Sequence, residues 1–353
     1  MKALKLATLS LVMMFSPGCA LFSAVKGGDP LAAANAAKAE AEKVAQLGKE
    51  ATAYAEKKCD PIKTAEVGFS EERAIGGVVG IELISNSGHL FIEGNTEKDP
   101  KKLNDALAAK QAVTLPDGAI NDLTAYVSVV GKNLARYSAR PDLPWTFAVI
   151  KNDTVNAFSA PGGYVVVTTA LLKKISNEAQ LAGVLGHEIG HVVHKHSLIK
   201  YRDAKHKQCI AANWAGYVIE HGGPRNSATD EAAKYAKKFD GTIDLDKEEG
   251  GFIKFIMSAV ITMLQTGNDK ASEMQTDKTG LELVAFAGYD PTEYEKFLVS
   301  LGSQGGGIGA SHPSTDDRVA ALKALREGEL APFATGTAKP ETAKVFAPVT
   351  GSK

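Results

Sequence analysis

The run Gly186-His187-Glu188-Ile189-Gly190-His191-Val192-Val193-His194-Lys195-His196 puts four of the chain's eight histidines within ten residues. Its surroundings are apolar, with Leu181, Val184, Leu185, Ile189, Val192 and Val193 recurring at helical steps, so the segment predicts a helix buried in a core. Imidazoles buried there need polar partners. His187 and His191 are four residues apart, so both rings leave one face of the helix about one turn apart and can hold a single Zn²⁺. Glu188 beside them is placed to act as a general base on water. A fold containing this helix must also bring another element against it to complete the donor set.

A catalytic zinc site takes three protein donors and keeps one position open. His194 shares a face with His187, but three donors from one straight helix reach too far along its axis. His194 and His196 are therefore read as supporting or surface residues. Glu273 and Asp277 are four apart on a predicted helix after Gly267-Asn268-Asp269, which suits a Glu ligand with an Asp one turn later to hold the ring N–H of a ligating His. Glu248 and Glu249 compete for the role but lie in a Gly-bounded polar loop.

The rest of the chain fits around this pair of helices. Leu31 to Lys58 reads as an amphipathic Ala/Glu/Lys helix, with Val44, Leu47, Ala51 and Tyr54 on one side. Further helices are predicted over Ser70 to Ile84, Asn121 to Ser138, Asn177 to His196, Ala271 to Ala287, Pro291 to Leu301 and Thr315 to Arg326, with a polar insertion from Asn86 to Gly118. Asn177 is the expected N-cap of the histidine helix, with Gln180 three residues on. Trp145 to Ile150 and Gly163 to Thr169 are β-rich and predict a strand pair joined by a turn at Pro161-Gly162-Gly163. Glu327 to Lys353, rich in Pro, Thr, Ala and Lys, is expected to be a disordered tail. The fold class is thus α+β, predominantly helical.

Met1 to Lys5 carries two lysines, Leu6 to Phe15 is apolar, and Ser16-Pro17-Gly18-Cys19-Ala20 follows, which is the anatomy of an export signal. Gly18 before Cys19 is similar to a lipoprotein cleavage box. Residues 1–18 are therefore expected to be a signal peptide, 19–30 a lipid-anchor linker, 31–58 the amphipathic helix, 59–326 the domain that carries the zinc-binding helices and 327–353 the tail. Ordinary cleavage nearby, giving a soluble periplasmic protein, is the alternative. Phe252 to Leu264 is short and contains Lys254, and reads as a buried helix rather than a membrane span. With Cys19 lipidated, Cys59 and Cys209 remain as a disulfide pair or as two free thiols in a compartment that permits either. A net charge of −1 and 7% aromatic residues give no support for nucleic-acid binding.

Five ordered motifs carry a family resemblance: Asn156 to Tyr164, His187-Glu188 to His191, Glu273 to Asp277, Gly288-Tyr289-Asp290-Pro291, and His312-Pro313-Ser314 to Arg318. The chain resembles the CAAX prenyl protease family of zinc metalloendopeptidases, in its soluble bacterial outer-membrane branch, over about Val67 to Leu325. The resemblance implies a zincin-type metallopeptidase fold with a small sheet beside the active-site helix. It implies one Zn²⁺ on His187, His191 and Glu273, Glu188 as base, Asp277 behind a ligand, and the strand after Asn156 lining the substrate cleft. Asn156, Gly162, Gly163 and Tyr164 are then candidate substrate-binding residues, although Pro161-Gly162-Gly163 makes a tight turn in any protein. His312 and Arg318 are placed at the active site, His312 as an oxyanion donor or as a resting-state fourth ligand. Thr276 stands where the family has Ala. An extended substrate is expected to add as a strand beside Gly163 to Thr169. The implied setting is the periplasmic face of the outer membrane, with unfolded or misassembled envelope polypeptides as substrates and the outer-membrane assembly machinery as a partner. A noncatalytic scaffold or chaperone with a structural metal is the rival reading, and Glu188 argues against it.

Overall fold

The computed structural model describes residues 30–87, 89–90, 122–239, 251, 255, 267–301, 315–333 and 336. The signal segment with Cys19, nearly all of the insertion before Gly118, Glu248, Glu249, all of the Phe252–Leu264 segment but Phe255, the Gly-rich run after Leu301 and His312 lie outside these residues. In chain order the elements are α1 (Pro30–Cys59), α2 (Phe69–Ser87), β1 (His89–Leu90), α3 (Asp122–Ala135), β2 (Thr146–Lys151), β3 (Ala157–Ala160), β4 (Tyr164–Thr168), α4 (Thr169–Lys174), α5 (Glu178–Val193), α6 (His196–Glu220), α7 (Ser227–Ala233), α8 (Lys270–Phe286), α9 (Thr292–Leu301) and α10 (Thr315–Glu327). Single turns of 3₁₀ helix occur at Asp60–Lys63, Ala236–Phe239 and Ala331–Phe333. The class is α+β and mainly helical. No helix among the described residues is long and apolar enough to cross a membrane.

The chain divides into two compact units. One unit takes residues up to 66 together with 202–239, and the boundary falls inside α6 after Tyr201. Here Cys59 and Cys209 are disulfide-bonded, with Cα atoms 5.9 Å apart. Ala51, Ala55 and Cys59 form the buried stripe of α1 at four-residue steps. Tyr54, expected on that face, is instead exposed and pairs with Tyr217 at 5.0 Å between ring centroids. Asn213 Nδ2 donates to Cys209 O at 3.0 Å, and Trp214 Nε1 donates to Gly48 O at 3.4 Å. The Leu31–Lys58 helix is therefore one side of a cross-linked helix pair, and segment 202–239 belongs with it.

The other unit holds the sheet and the histidine helix. Strand order is β1-β2-β4-β3, with β2 parallel to β4 and with β1 and β3 antiparallel to their neighbours. The expected two-strand pairing needs correction: β2 and β4 do pair, but in parallel, and β3 intervenes in sequence. The Pro161-Gly162-Gly163 turn joins β3 to β4, with Gly162 at φ 76° and Gly163 at φ 92°, a backbone region that favours glycine. β4 therefore has a neighbour on each side and cannot take an added strand. Among the described residues the edges are β1 and, next to β4, β3. The core runs between α3 (Val127, Leu134), β2 (Phe147, Val149), β4 (Val165, Val167) and α5 (Leu181, Leu185, Ile189).

Every residue of α5 from Glu178 to Val192 is buried, so the helix is covered on all sides. Asn177 caps it, its side chain accepting from Gln180 N at 3.0 Å, while Gln180 Oε1 accepts from Ser176 N at 2.9 Å. The helix does not continue through His196. It stops at Val193, Lys195 takes φ 58°, and His196 opens α6. The tail expected from Glu327 is also corrected at its start. Leu330 is buried with Leu281, Tyr294, Leu298 and Leu322, and the Phe333 ring stands edge-on to Phe286, 5.2 Å between centroids. Two apolar side chains with somewhere to go are enough to fold the first residues of that segment back.

Candidate metal centre

Two glycines let α8 lie directly against α5. A Cβ on Gly186 would sit 2.9 Å from Gly280 O, and one on Gly280 would sit 2.8 Å from His187 N, both too close for real contacts. One turn on, a Cβ at Gly190 would meet Thr276 at 3.2 Å. The Thr276 hydroxyl is satisfied inside its own helix, donating to Glu273 O at 2.8 Å, so threonine is tolerated where Gly190 leaves room. Gly186 and Gly190 flank the His187–Glu188 step and so set the backbone distance at which Glu273 meets the two rings. Asp269 starts α8, its carboxylate accepting from Ser272 N at 2.8 Å.

His187, His191 and Glu273 converge in the buried space this creates, each offering one donor atom, all within 4.8 Å of one another. His187 Nε2 lies 3.1 Å from His191 Nε2 and 3.4 Å from Glu273 Oε2, and His191 Nε2 lies 3.5 Å from Glu273 Oε1. Asn268 Nδ2 approaches His191 Nε2 at 3.5 Å. Glu188 is buried on the same helix, 3% exposed.

Behind His187 stands a charged network. Its Nδ1 meets Asp277 Oδ1 at 2.9 Å. Asp277 in turn accepts from Arg318 Nε on Oδ2 at 2.7 Å, from Arg318 Nη2 on Oδ1 at 2.7 Å and from Tyr294 OH at 3.0 Å. Burial alone would raise the Asp277 carboxyl, but Arg318 and His187 reverse this and hold it well below the usual carboxylate range. Burial likewise opposes a charge on His187, yet its hydrogen bonds to Asp277 and Glu273 outweigh it and raise the ring to about 9. Two buried carboxylates, Asp277 and Glu273, thus face one guanidinium and an imidazole that they hold in its charged form, and a cation among the three donors would take the place of that His187 proton. Two imidazole nitrogens and a carboxylate are also the chemistry of a zinc site. The residues fit a metal on both counts.

His191 is backed differently. Its Nδ1 lies 2.9 Å from His196 Nδ1, and His196 Nε2 lies 3.1 Å from Gln275 Oε1. His194 turns aside to Thr279, with Nε2 2.7 Å from Oγ1. Burial lowers both His194 and His196 from the ordinary histidine value.

Of the candidate residues, His187, His191, Glu273, Asp277 and Arg318 are brought together and Glu188 is buried one residue from His187. His312, Glu248, Glu249 and Cys19 lie outside the described residues. Gly162 and Gly163 are buried in the β3–β4 turn, where Gly162 N donates to Glu72 Oε1 at 3.0 Å and Gly162 O accepts from Arg73 Nη1 at 2.6 Å. The Tyr164 ring lies under the Arg73 guanidinium, 4.0 Å from its carbon to the ring centroid. These three residues hold the turn. Asn156 opens β3, its main-chain oxygen accepting from Thr168 N at 3.0 Å, and its Oδ1 is buried with no partner among the described residues. Ala160 and Pro161 border a small recess together with His191, Glu72, Lys195 and Ser197, which links the turn to the donor cluster. Sequence reasoning missed Tyr294, Asn268, Gln275 and the specific role of His196. For the glycines a signal was present, since Gly186 and Gly190 repeat at the spacing of one helix face.

The model of peptidase family M48 matches residues 121–326. The chain is 27% identical over 224 residues to the β-barrel assembly-enhancing protease of Yersinia pestis, covering 62% of this chain and 41% of that protein. It is 29% identical over 209 residues to the protein of the same name from Escherichia coli K12, covering 57% and 39%. It is 28% identical over 202 residues to the mitochondrial metalloendopeptidase OMA1 of Schizosaccharomyces pombe, covering 56% and 51%. The chain thus spans about two fifths to one half of the length of these relatives.

Proposed function

The chain belongs to peptidase family M48, a family of peptide hydrolases, and from that membership we propose that it is a zinc-dependent endopeptidase of the bacterial cell envelope. The observation that carries the proposal is the buried convergence of His187, His191 and Glu273, with the carboxylate of Asp277 behind His187. His187, His191 and Glu273 hold the metal. When bound, Zn²⁺ supplies Lewis acidity that activates water near neutral pH and polarises a peptide carbonyl. Glu188 takes the proton from the attacking water and delivers it to the leaving amine. Asp277, itself fixed by Arg318 and Tyr294, orients His187.

Substrate adds along β3. The Asn156–Thr168 main-chain bond sets the alternation of the ladder, so the N–H and C=O of Ala157 and Ser159 point away from β4. Main-chain bonding of this kind is indifferent to side chains and favours extended, unfolded polypeptides. The test is metal analysis with casein cleavage. Glu188→Gln should keep about one zinc per chain while losing activity by about a hundredfold or more, because a base is removed and no ligand is. Undiminished cleavage by that variant would refute the proposed chemistry.

The proposed place of action is supported by the export-signal anatomy of Met1 to Ala20 and by the two bacterial relatives, which are named for β-barrel assembly. The chain is proposed to be a lipoprotein anchored through Cys19 at the periplasmic face of the outer membrane. There it would degrade misassembled envelope proteins in contact with the assembly machinery. Metabolic palmitate labelling should mark the wild type and be absent from Cys19→Ser. Equal labelling of both would exclude that anchor.

A further inference from the structure

The break at Lys195 decides where His196 goes. On an uninterrupted helix the residue five places after His191 lies about 140° further round the axis, too far for the two rings to meet. With Lys195 in the left-handed region, His196 Nδ1 comes to 2.9 Å from His191 Nδ1. Two imidazole nitrogens at that separation share one proton, and the far side of His196 identifies its owner. His196 Nε2 faces Gln275 Oε1 at 3.1 Å, and an amide oxygen only accepts, so the His196 proton is on Nε2. Neutral His196 then presents a bare Nδ1, His191 donates its own Nδ1–H to it, and the lone pair of His191 Nε2 is left facing Glu273.

Resting on the reading of His187, His191 and Glu273 as a zinc site, we infer that His196 is the positioning residue of His191. It orients the ring and keeps the proton off the nitrogen that faces the metal, and Gln275 fixes His196 in turn. His194 steadies the arrangement from the other side: its ring stacks on His196 with centroids 5.6 Å apart and planes 26° from parallel. The chain thus supports its two imidazole donors by unlike means, a carboxylate for His187 and a neutral ring for His191. Outer partners of ligating histidines are worth about 10- to 100-fold in metal affinity.

The experiment is zinc affinity of the full chain by chelator competition, in the wild type, His196→Leu and His196→Asn. Asparagine Oδ1 occupies the place of imidazole Nδ1 relative to Cβ, so it keeps the acceptor while leucine does not. His196→Leu should bind zinc about 10- to 100-fold more weakly, and His196→Asn should recover most of the loss, a rescue that a merely structural role for the ring would not produce. Wild-type affinity in His196→Leu, or an Asn variant as weak as the Leu variant, overturns the inference and leaves the zinc site standing. A wild type that takes up no zinc overturns the site reading and this one with it. Should His196→Leu not fold, Gln275→Leu at an exposed position carries the test: severalfold weaker binding is expected, and unchanged binding overturns the assignment.

Discussion

In the unit that carries the donors, α5 and α8 meet through glycine backbones and a buried ion network, whereas in the other unit α1 and α6 are tied by a disulfide beside a stripe of alanines. Both arrangements hold two helices close, yet they constrain different things. A cross-link limits how far apart two chains can wander and acts largely on the unfolded state. Backbone contact at Gly186 and Gly280 fixes the separation in the folded state, and the network around Asp277 fixes rotation. A site whose donor atoms lie within 4.8 Å of one another needs the second kind of constraint. The comparison can be broken from either side.

The largest effect is expected at Arg318. Arg318→Ala leaves the Asp277 carboxylate buried with Tyr294 and His187 as its remaining side-chain partners among the described residues, and removing one partner of a buried pair costs about 3–5 kcal/mol. Denaturant unfolding should register that loss, and zinc affinity should fall with it because His187 loses its fixed partner. Arg318→Lys should recover little, since one ammonium cannot make the two parallel bonds at 2.7 Å that Nε and Nη2 make. Near wild-type stability in the alanine variant would mean that Asp277 is not held as a charged group.

Next in size is the disulfide. Replacing Cys59 and Cys209 together by serine should cost about 2–4 kcal/mol, read as a lower melting temperature. Zinc affinity should persist, because His187, His191 and Glu273 all belong to the other unit. Loss of zinc from the double variant would show that the two units are not energetically separate.

The histidine pair, the Glu273–Asp277 pair and the Asn177 cap were legible in the sequence because each is a local spacing rule: four residues for one helix face, three for a cap. Asp290 caps the start of α9 by the same kind of local rule, its carboxylate accepting from Thr292 N at 2.9 Å. Glu293, three residues on and so at the position from which a side chain can reach back to a cap, instead accepts from Asn177 Nδ2 at 2.6 Å and Gln180 Nε2 at 3.0 Å, partners more than a hundred residues away. The same reason hid the break at Lys195. No glycine or proline marks it, and what holds it is the set of contacts from His194 to Thr279 and from His196 to Gln275, some eighty residues on. β3 was implied only by the family resemblance, as the strand after Asn156, because Ala-Phe-Ser-Ala carries no alternation or β-branched signal of its own and its pairing with β4 supplies what propensity does not. α6 was missed for a related reason, its polar and apolar residues being too evenly mixed to give one face.

The smallest effect tests the glycine contact itself. Gly186→Ala removes no hydrogen bond and no charge, and alanine is the better helix former by about 1 kcal/mol. On propensity alone the variant should be more stable. In the structure its Cβ would press on Gly280 O at 2.9 Å and on Gly280 Cα at 3.1 Å, backbone atoms that cannot rotate away, so α8 must shift outward. Overpacking of this kind costs about 1–3 kcal/mol, which leaves a net loss of at most about 2 kcal/mol after the helix gain. The functional loss should be disproportionate. A shift of a few tenths of an ångström moves Glu273 away from both imidazoles while leaving Asp277 and Arg318 free to follow on the same side, so zinc affinity should drop more than stability does. Gly222→Ala makes the contrast, because nothing lies within 4 Å of a Cβ there and its positive φ of 72° gives a purely conformational penalty. If Gly186→Ala loses stability and zinc in the same proportion as Gly222→Ala, close approach at Gly186 is not what sets the donor geometry.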